Sequence, residues 1–230
     1  MTRVAIVTGA SSGIGRATAA RLEAEGVTVA GFDAQADDPV DVSDARAVTR
    51  AVERVHDQLG PVDILVNAAG IAAGGPLGSD GYVESWERSL SVNLTGAMHT
   101  VRACLGDLLR SDAGRIVNVA STEALAAGRF SGPYTVSKHG LLGFTRSLAV
   151  ELGRQGVTAN CVCPGATLTG MTEIIPEADR DTYARRNIPV GRYGRPEEVA
   201  YMIAALTAPE ASFVNGAVIT VDGGMSASSP

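Results

Sequence analysis

Short, mostly apolar runs alternate along this chain with longer stretches whose apolar positions recur at helical spacing. The runs cover residues 4–8, 28–32, 64–67, 116–120, 158–162 and 218–221. The helical stretches cover residues 14–25, 45–59, 84–109, 134–154 and 196–206. Continuous apolar strands, rather than alternating ones, belong to sheets buried on both faces, and such sheets are parallel. The pattern therefore predicts an α/β fold: one doubly wound, Rossmann-type parallel sheet with helices on both faces, in a single domain over residues 1–230. Between Asp33 and Asp41 only seven residues are available. A full crossover through a helix needs a dozen or more, so a loop is expected there, followed by a very short strand at residues 40–42. Residues 171–187 read as an irregular lid, and residues 226–230 as a loose tail.

Composition narrows the class. The 45% hydrophobic content, with 27 Gly and 4% aromatics, suits Ala- and Val-rich layers joined by tight turns. A net charge of −6 makes nucleic acid and anionic membrane surfaces poor partners. No apolar stretch approaches the roughly 20 residues of a membrane helix. Arg3 leads directly into Val4-Ala5-Ile6-Val7, which is too short for a signal-peptide core. The cysteines, Cys104, Cys161 and Cys163, lack zinc spacing and read as buried free thiols of a cytoplasmic protein. The aspartates at 33, 37, 38 and 41 lack calcium-loop spacing, so no metal is expected.

Two constellations carry chemistry. Thr8-Gly9-Ala10-Ser11-Ser12-Gly13-Ile14-Gly15 joins the first strand to the first helix. Glycines there allow a tight turn and close approach of backbone to a pyrophosphate, which the helix N-terminus attracts. Asp33 ends the second strand, where a carboxylate accepts hydrogen bonds from the adenosine ribose and repels a 2′-phosphate. NAD is therefore favoured over NADP, with Arg16 as the one counterweight. In the second constellation, Tyr134-Thr135-Val136-Ser137-Lys138 sets a phenol and an ammonium one helical turn apart. A free phenol titrates near 10. A neighbouring cation, together with a positively charged nicotinamide, is expected to lower it by two or three units, about 3–4 kcal/mol, making Tyr134 a usable acid/base.

The glycine loop resembles the T-G-x-x-x-G-I-G turn of short-chain dehydrogenases, and the likeness continues along nearly the whole chain. Ser121 precedes Tyr134 by thirteen residues and Asn93 precedes Ser121 by twenty-eight. The resemblance implies a catalytic tetrad of Asn93, Ser121, Tyr134 and Lys138, with Ser121 on the substrate oxygen and Asn93 holding a water linking the lysine to solvent. It also implies dinucleotide contacts from Gly9, Ser11, Ser12, Gly13, Ile14 and Gly15, from Asp41 and Val42 at the adenine, and from Tyr134 and Lys138. Asn67-Ala68-Ala69-Gly70 is similar to the family's N-N-A-G, with Ala replacing the second Asn. Asn160-Cys161-Val162-Cys163-Pro164-Gly165 is similar to N-x-V-x-P-G, which places Pro164, Gly165, Thr167 and Thr169 at the nicotinamide.

The implied activity is NAD(H)-dependent interconversion of a secondary alcohol and a ketone, without metal. Alternatives in the same family are a 3-oxoacyl-thioester reductase or a cyclic dihydrodiol dehydrogenase; outside enzymes, the alternative is a non-catalytic NAD-binding protein. Ile174, Ile175 and Tyr183 are candidate substrate-lining residues, Glu123 a candidate polar contact, and Arg185 and Arg186 candidate anion contacts. His56, His99 and His139 show no partners and read as helix-surface or packing residues. The helices at 84–109 and 134–154 resemble those that pair subunits, which implies a homotetramer, with a dimer as the alternative.

Overall fold

The computed structural model describes residues 2–228, so part of the anticipated tail, Ser229 and Pro230, lies outside the described residues. Six parallel strands form one sheet: β1 (Val4–Thr8), β2 (Thr28–Phe32), β3 (Ile64–Asn67), β4 (Arg115–Val119), β5 (Thr158–Pro164) and β6 (Val218–Val221). Their spatial order is β2-β1-β3-β4-β5-β6. The doubly wound architecture expected from the hydrophobic pattern is the one observed. Each strand sends alternate residues to opposite layers. Val4 and Ile6 of β1 pack with Leu65, Ile116 and Ala159 under α2 (Ala45–Leu59), α4 (Gly96–Arg110) and α5 (Gly132–Leu152). Ala5 and Val7 pack with Val66, Val117 and Val162 under α1 (Gly13–Ala24) and α8 (Pro196–Thr207).

Three expectations need correction. No strand forms at residues 40–42. Val40 donates its backbone N–H to Asp33 O at 2.9 Å, closing the loop on itself. Its side chain and that of Val42 are buried, so burial rather than pairing satisfies these apolar residues. The long helix at 84–109 is instead α3 (Tyr82–Leu90), a π-helical turn at Ser91–Thr95 and α4 in succession. The segment 171–187, expected to be irregular, is helical, as α6 (Gly170–Glu173) and α7 (Glu177–Asn187). Thr169 caps α6, and the acidic first turn of α7, with Glu177 and Asp179, suits a helix N-terminus. Ser226, assigned to the tail, is tied to Asp222 by its backbone N–H at 2.8 Å.

His99 Nδ1 lies 3.0 Å from Val42 O and His139 Nδ1 lies 3.0 Å from Thr135 O, and His56 too has a partner. Its Nδ1 lies 2.9 Å from Asp107 Oδ2, and the same carboxylate accepts from Val62 N at 3.0 Å and from Arg110. The cluster joins α2, α4 and the entry to β3. Burial pushes the Asp107 carboxyl up, but His56, the Val62 N–H and Arg110 together hold it below the ordinary value of 3.8. A carboxylate depressed by folding stabilises the protein above its unfolded pKa and loses that contribution as pH falls through the folded value. Asp107→Asn is expected to cost about 1–3 kcal/mol at pH 7, with the gap to wild type closing below about pH 4 in urea titrations. A pH-independent gap would contradict the assignment.

Candidate active site

Parallel strands deliver all their C-terminal ends to one edge of the sheet, and at the β1/β3 reversal a crevice opens there. That crevice is a cavity of about 1340 Å³. Its wall includes Gly9 and Ser12–Gly15 after β1, Asp33 after β2, residues 68–71 after β3, residues 120–123 after β4 and residues 164–167 after β5. Asp41, Val42, Tyr134, Lys138 and Thr169 complete it.

At one end the turn is built for close approach. A Cβ on Gly15 would fall 2.1 Å from Gly9 O, so only glycine lets the helix start this near β1. Gly13 has φ +51°, and a Cβ there would meet Thr169 Cγ2 at 3.1 Å, filling the gap between the start of α1 and the β5 loop. Ser12, the N-cap of α1, makes no side-chain capping bond, and the first turn carries no acid. The helix thus presents unpaired N–H groups and its positive end to the cavity, which suits an anionic pyrophosphate. Asp33 is held by Ser11 N at 3.1 Å and Gln35 N at 2.9 Å. Asp41 takes Ser43 N and Ser43 Oγ.

The other end gathers the hydroxyls and the ammonium. Lys138 is 4% exposed; its Nζ donates to Val119 O at 2.9 Å and sits 5.6 Å from the centre of the Tyr134 ring. Ser121 Oγ accepts the Glu123 N–H at 3.1 Å, which leaves its own proton free to donate. The chain's own groups do not lower the Tyr134 phenol. Burial pushes its phenol above 10, and the Ser121 hydroxyl pulls the other way. No lowering by Lys138 appears, because that side chain is itself driven down to about 8 by its surroundings.

Three of the residues expected in the tetrad or at the dinucleotide, Asn93, Asn67 and Ser11, are not walls of the cavity. Asn93 lies in the π-helical turn, a feature often found at functional sites. Its Oδ1 accepts from Ile71 N at 2.8 Å, and its Nδ2 donates to Ile71 O and Ser137 Oγ. It therefore fixes the loop carrying Gly70 against α5. A Cβ built on Gly70 would lie 3.3 Å from both Asn93 Oδ1 and Lys138 Nζ, which puts both side chains against the same face of this glycine. Asn67 is turned inward, donating to Asn118 Oδ1 and accepting from Thr100. Ser11 is exposed and acts through its backbone N–H on Asp33. With Ala at 68 in place of the motif's second Asn, the N–H groups of Ala68 and Ala69 both use Thr8 Oγ1, at 3.1 and 3.0 Å. Asn160 is a purely internal tie, bonding Val214 O and Ala217 N.

A family model described as Enoyl-(Acyl carrier protein) reductase, a short-chain dehydrogenase model, matches residues 9–226. The chain belongs to the short-chain dehydrogenase/reductase family. It is 36% identical to 3-oxoacyl-[acyl-carrier-protein] reductase FabG of Thermotoga maritima, over 97% of each chain. The aldohexose dehydrogenase of Thermoplasma acidophilum superposes with a TM-score of 0.94 at 32% identity, covering 100% of this chain and 96% of that one. A blue fluorescent protein from a metagenomic library, solved in complex with NADPH, gives 0.89 at 36% identity over 97% of each chain. Oxidoreductase chemistry with a nicotinamide cofactor is thus the activity of this short-chain dehydrogenase/reductase at the family level.

Of the lid residues, Ile175 and Tyr183 line the cavity, whereas Ile174 is 85% exposed and lies elsewhere. Arg185 and Arg186 are exposed outside it. Cavity residues not foreseen include Thr122, Asp179, Tyr193 and Met225. The first two had a signal, as a neighbour of Ser121 and a residue one helical turn before Tyr183; Met225 had none. The cysteines are free and buried, with Cys161 and Cys163 packed against Ala120, Ala124 and Leu141. Among the described residues no helix is long and apolar enough to cross a membrane.

The buried ammonium has a cost that pH exposes. With its pKa near 8 in the folded protein and 10.5 as a free lysine, the unfolded chain binds a proton that the folded chain lacks between those values. Stability therefore rises with pH across that window, and the penalty is complete below it. Lys138→Met removes the effect. Relative to this variant, wild type is expected to gain about 3 kcal/mol in unfolding free energy between pH 7 and 10.5 in urea titrations. A constant difference would mean the ammonium is not desolvated.

Proposed function

We propose that this protein is an NAD(H)-dependent oxidoreductase that interconverts a secondary alcohol and a ketone, with Tyr134 as the acid/base. One observation carries the reading: Ser121, Tyr134 and Lys138 share a single cavity with the uncapped start of α1 and with Asp33. The residues that would hold the dinucleotide are Gly9 and Ser12–Gly15 at the pyrophosphate, Asp33 at the adenosine ribose, Asp41 and Val42 at the adenine, and Pro164, Gly165, Thr167 and Thr169 at the nicotinamide. When bound, the nicotinamide supplies the hydride exchange.

The chain's own groups do the rest. Ser121 donates to the substrate oxygen and orients it. Tyr134 takes the hydroxyl proton during oxidation and returns it during reduction. A phenol raised by burial cannot serve as a base at neutral pH without added positive charge, so a cationic nicotinamide is what would bring it into range. Lys138 adds charge beside the ring and bonds the nicotinamide ribose. Asn93 positions the Gly70 loop and Lys138, and supports proton exit through a bound water.

The preference for NAD rests on Asp33, a carboxylate in the cavity wall, while Arg16, the possible counter-charge, is exposed and lies outside that wall. The likeness to a 3-oxoacyl-[acyl-carrier-protein] reductase supports a thioester substrate as the second reading. A homotetramer is supported by exposed apolar residues such as Val136 and Val150 on α5, and by Phe213 before β6.

Tyr134→Phe is expected to lower kcat by a factor of about 10²–10⁴ while changing NADH affinity less than about threefold, measured by stopped-flow and fluorescence titration. Retained turnover would remove Tyr134 from the mechanism. Asp33→Ala is expected to weaken NAD binding by about 10–100-fold and to improve NADP binding. If the variant kept the wild-type cofactor ratio, Asp33 would not be the discriminating group.

A further inference from the structure

Glu123 stands on the cavity wall two residues beyond Ser121. It was a candidate to bond a polar substrate, but its carboxylate is already engaged by its own chain. Oε2 accepts from Gly128 N at 3.0 Å, from Ser131 Oγ at 2.9 Å and from Thr135 Oγ1. The other oxygen lies flat against Gly128, where a Cβ would come within 2.3 Å of it. The group is therefore fixed, with its negative charge beside the reacting end, close enough to Tyr134 to push that phenol up. It makes no ion pair with any described cation. Asp179 of α7 adds a second carboxylate to the same cavity, also without an ion pair among the described residues. The same wall holds the neutral Met171, Ile175, Tyr183 and Met225 and two cations, Lys138, which is engaged with Val119 O, and Arg88.

We propose that Glu123 is a specificity-determining residue: its immobilised carboxylate excludes substrates with an anionic group near the reacting carbon and admits uncharged or cationic alcohols and ketones. The inference rests on Tyr134 being the reacting group. A fixed charge beside a low-dielectric wall repels a like charge strongly, whereas a mobile carboxylate would swing away into water. Glu123→Gln keeps an accepting oxygen for the 128–135 segment and removes the charge. Ser131→Ala removes one of the donors and keeps the charge.

The test compares methyl acetoacetate with acetoacetate, one carbon frame with and without an anion, using NADH and the full-length protein at low ionic strength. The expected result is a kcat/KM ratio favouring the ester by about tenfold or more. Glu123→Gln should shrink that ratio several-fold, and Ser131→Ala should leave it in place. A ratio near one in wild type, or one unmoved by Glu123→Gln, overturns the proposal. A second arm is independent of turnover. In Thr122→Cys, a cavity-wall thiol next to Glu123, a cationic methanethiosulfonate is expected to react about tenfold faster than its anionic counterpart, and adding Glu123→Gln should reduce that preference. If neither ketone is reduced but the labelling preference holds and depends on Glu123, the reaction assignment fails and the charge selection stands; equal labelling rates overturn the charge selection.

Discussion

Six strands running in one direction impose the constraint from which the rest follows. Parallel pairing sends every chain exit to the same edge, so loops distant in sequence must meet there. The order β2-β1-β3-β4-β5-β6 reverses between β1 and β3, and consecutive crossovers then leave the sheet on opposite faces. A crevice at that reversal is unavoidable. The glycine turn, Asp33 and the Ser121 segment face one another because of pairing rules, with no contact between the loops needed to bring them together.

On this frame the site trades stability for reactivity. Lys138 is a charge held almost out of water by one carbonyl bond, at Val119 O. A buried ammonium with so few partners is costly, and the cost is met by the packing of α5 across β4 and β5. Asn93 shows a similar economy of position. The π-helical turn that carries it re-aims the amide toward the Ile71 backbone and Ser137. The loop bearing Gly70 is thereby pinned beside the ammonium.

The charges around the cavity divide its labour. Asp33 faces the end where unpaired N–H groups favour an anion, so under the proposed function it would select among dinucleotides instead of opposing them all. Glu123 faces the reacting end, where the helix dipole of α1 gives no compensation. Two carboxylates of the same formal charge thus sit in different surroundings, one near a positive helix end and the other near a phenol.

The sequence alone determined the strand–helix alternation, because short uninterrupted apolar runs such as Val4-Ala5-Ile6-Val7, each followed by a helical pattern, fit a sheet covered on both faces. It also determined the glycine turn and the pairing of Tyr134 with Lys138, whose spacing is local. Tertiary structure decided what depends on neighbours from elsewhere in the chain. Val40 and Val42 read as a strand but are satisfied by burial alone, His56 found Asp107 fifty-one residues away, and Ile174 and Ile175 went to opposite sides of the lid. The chain's own groups raise the Tyr134 phenol, so the lowering expected of it would have to come from a bound cationic nicotinamide. Spacing reveals which charge stands nearby, but only the folded interior sets how much water is left to solvate it.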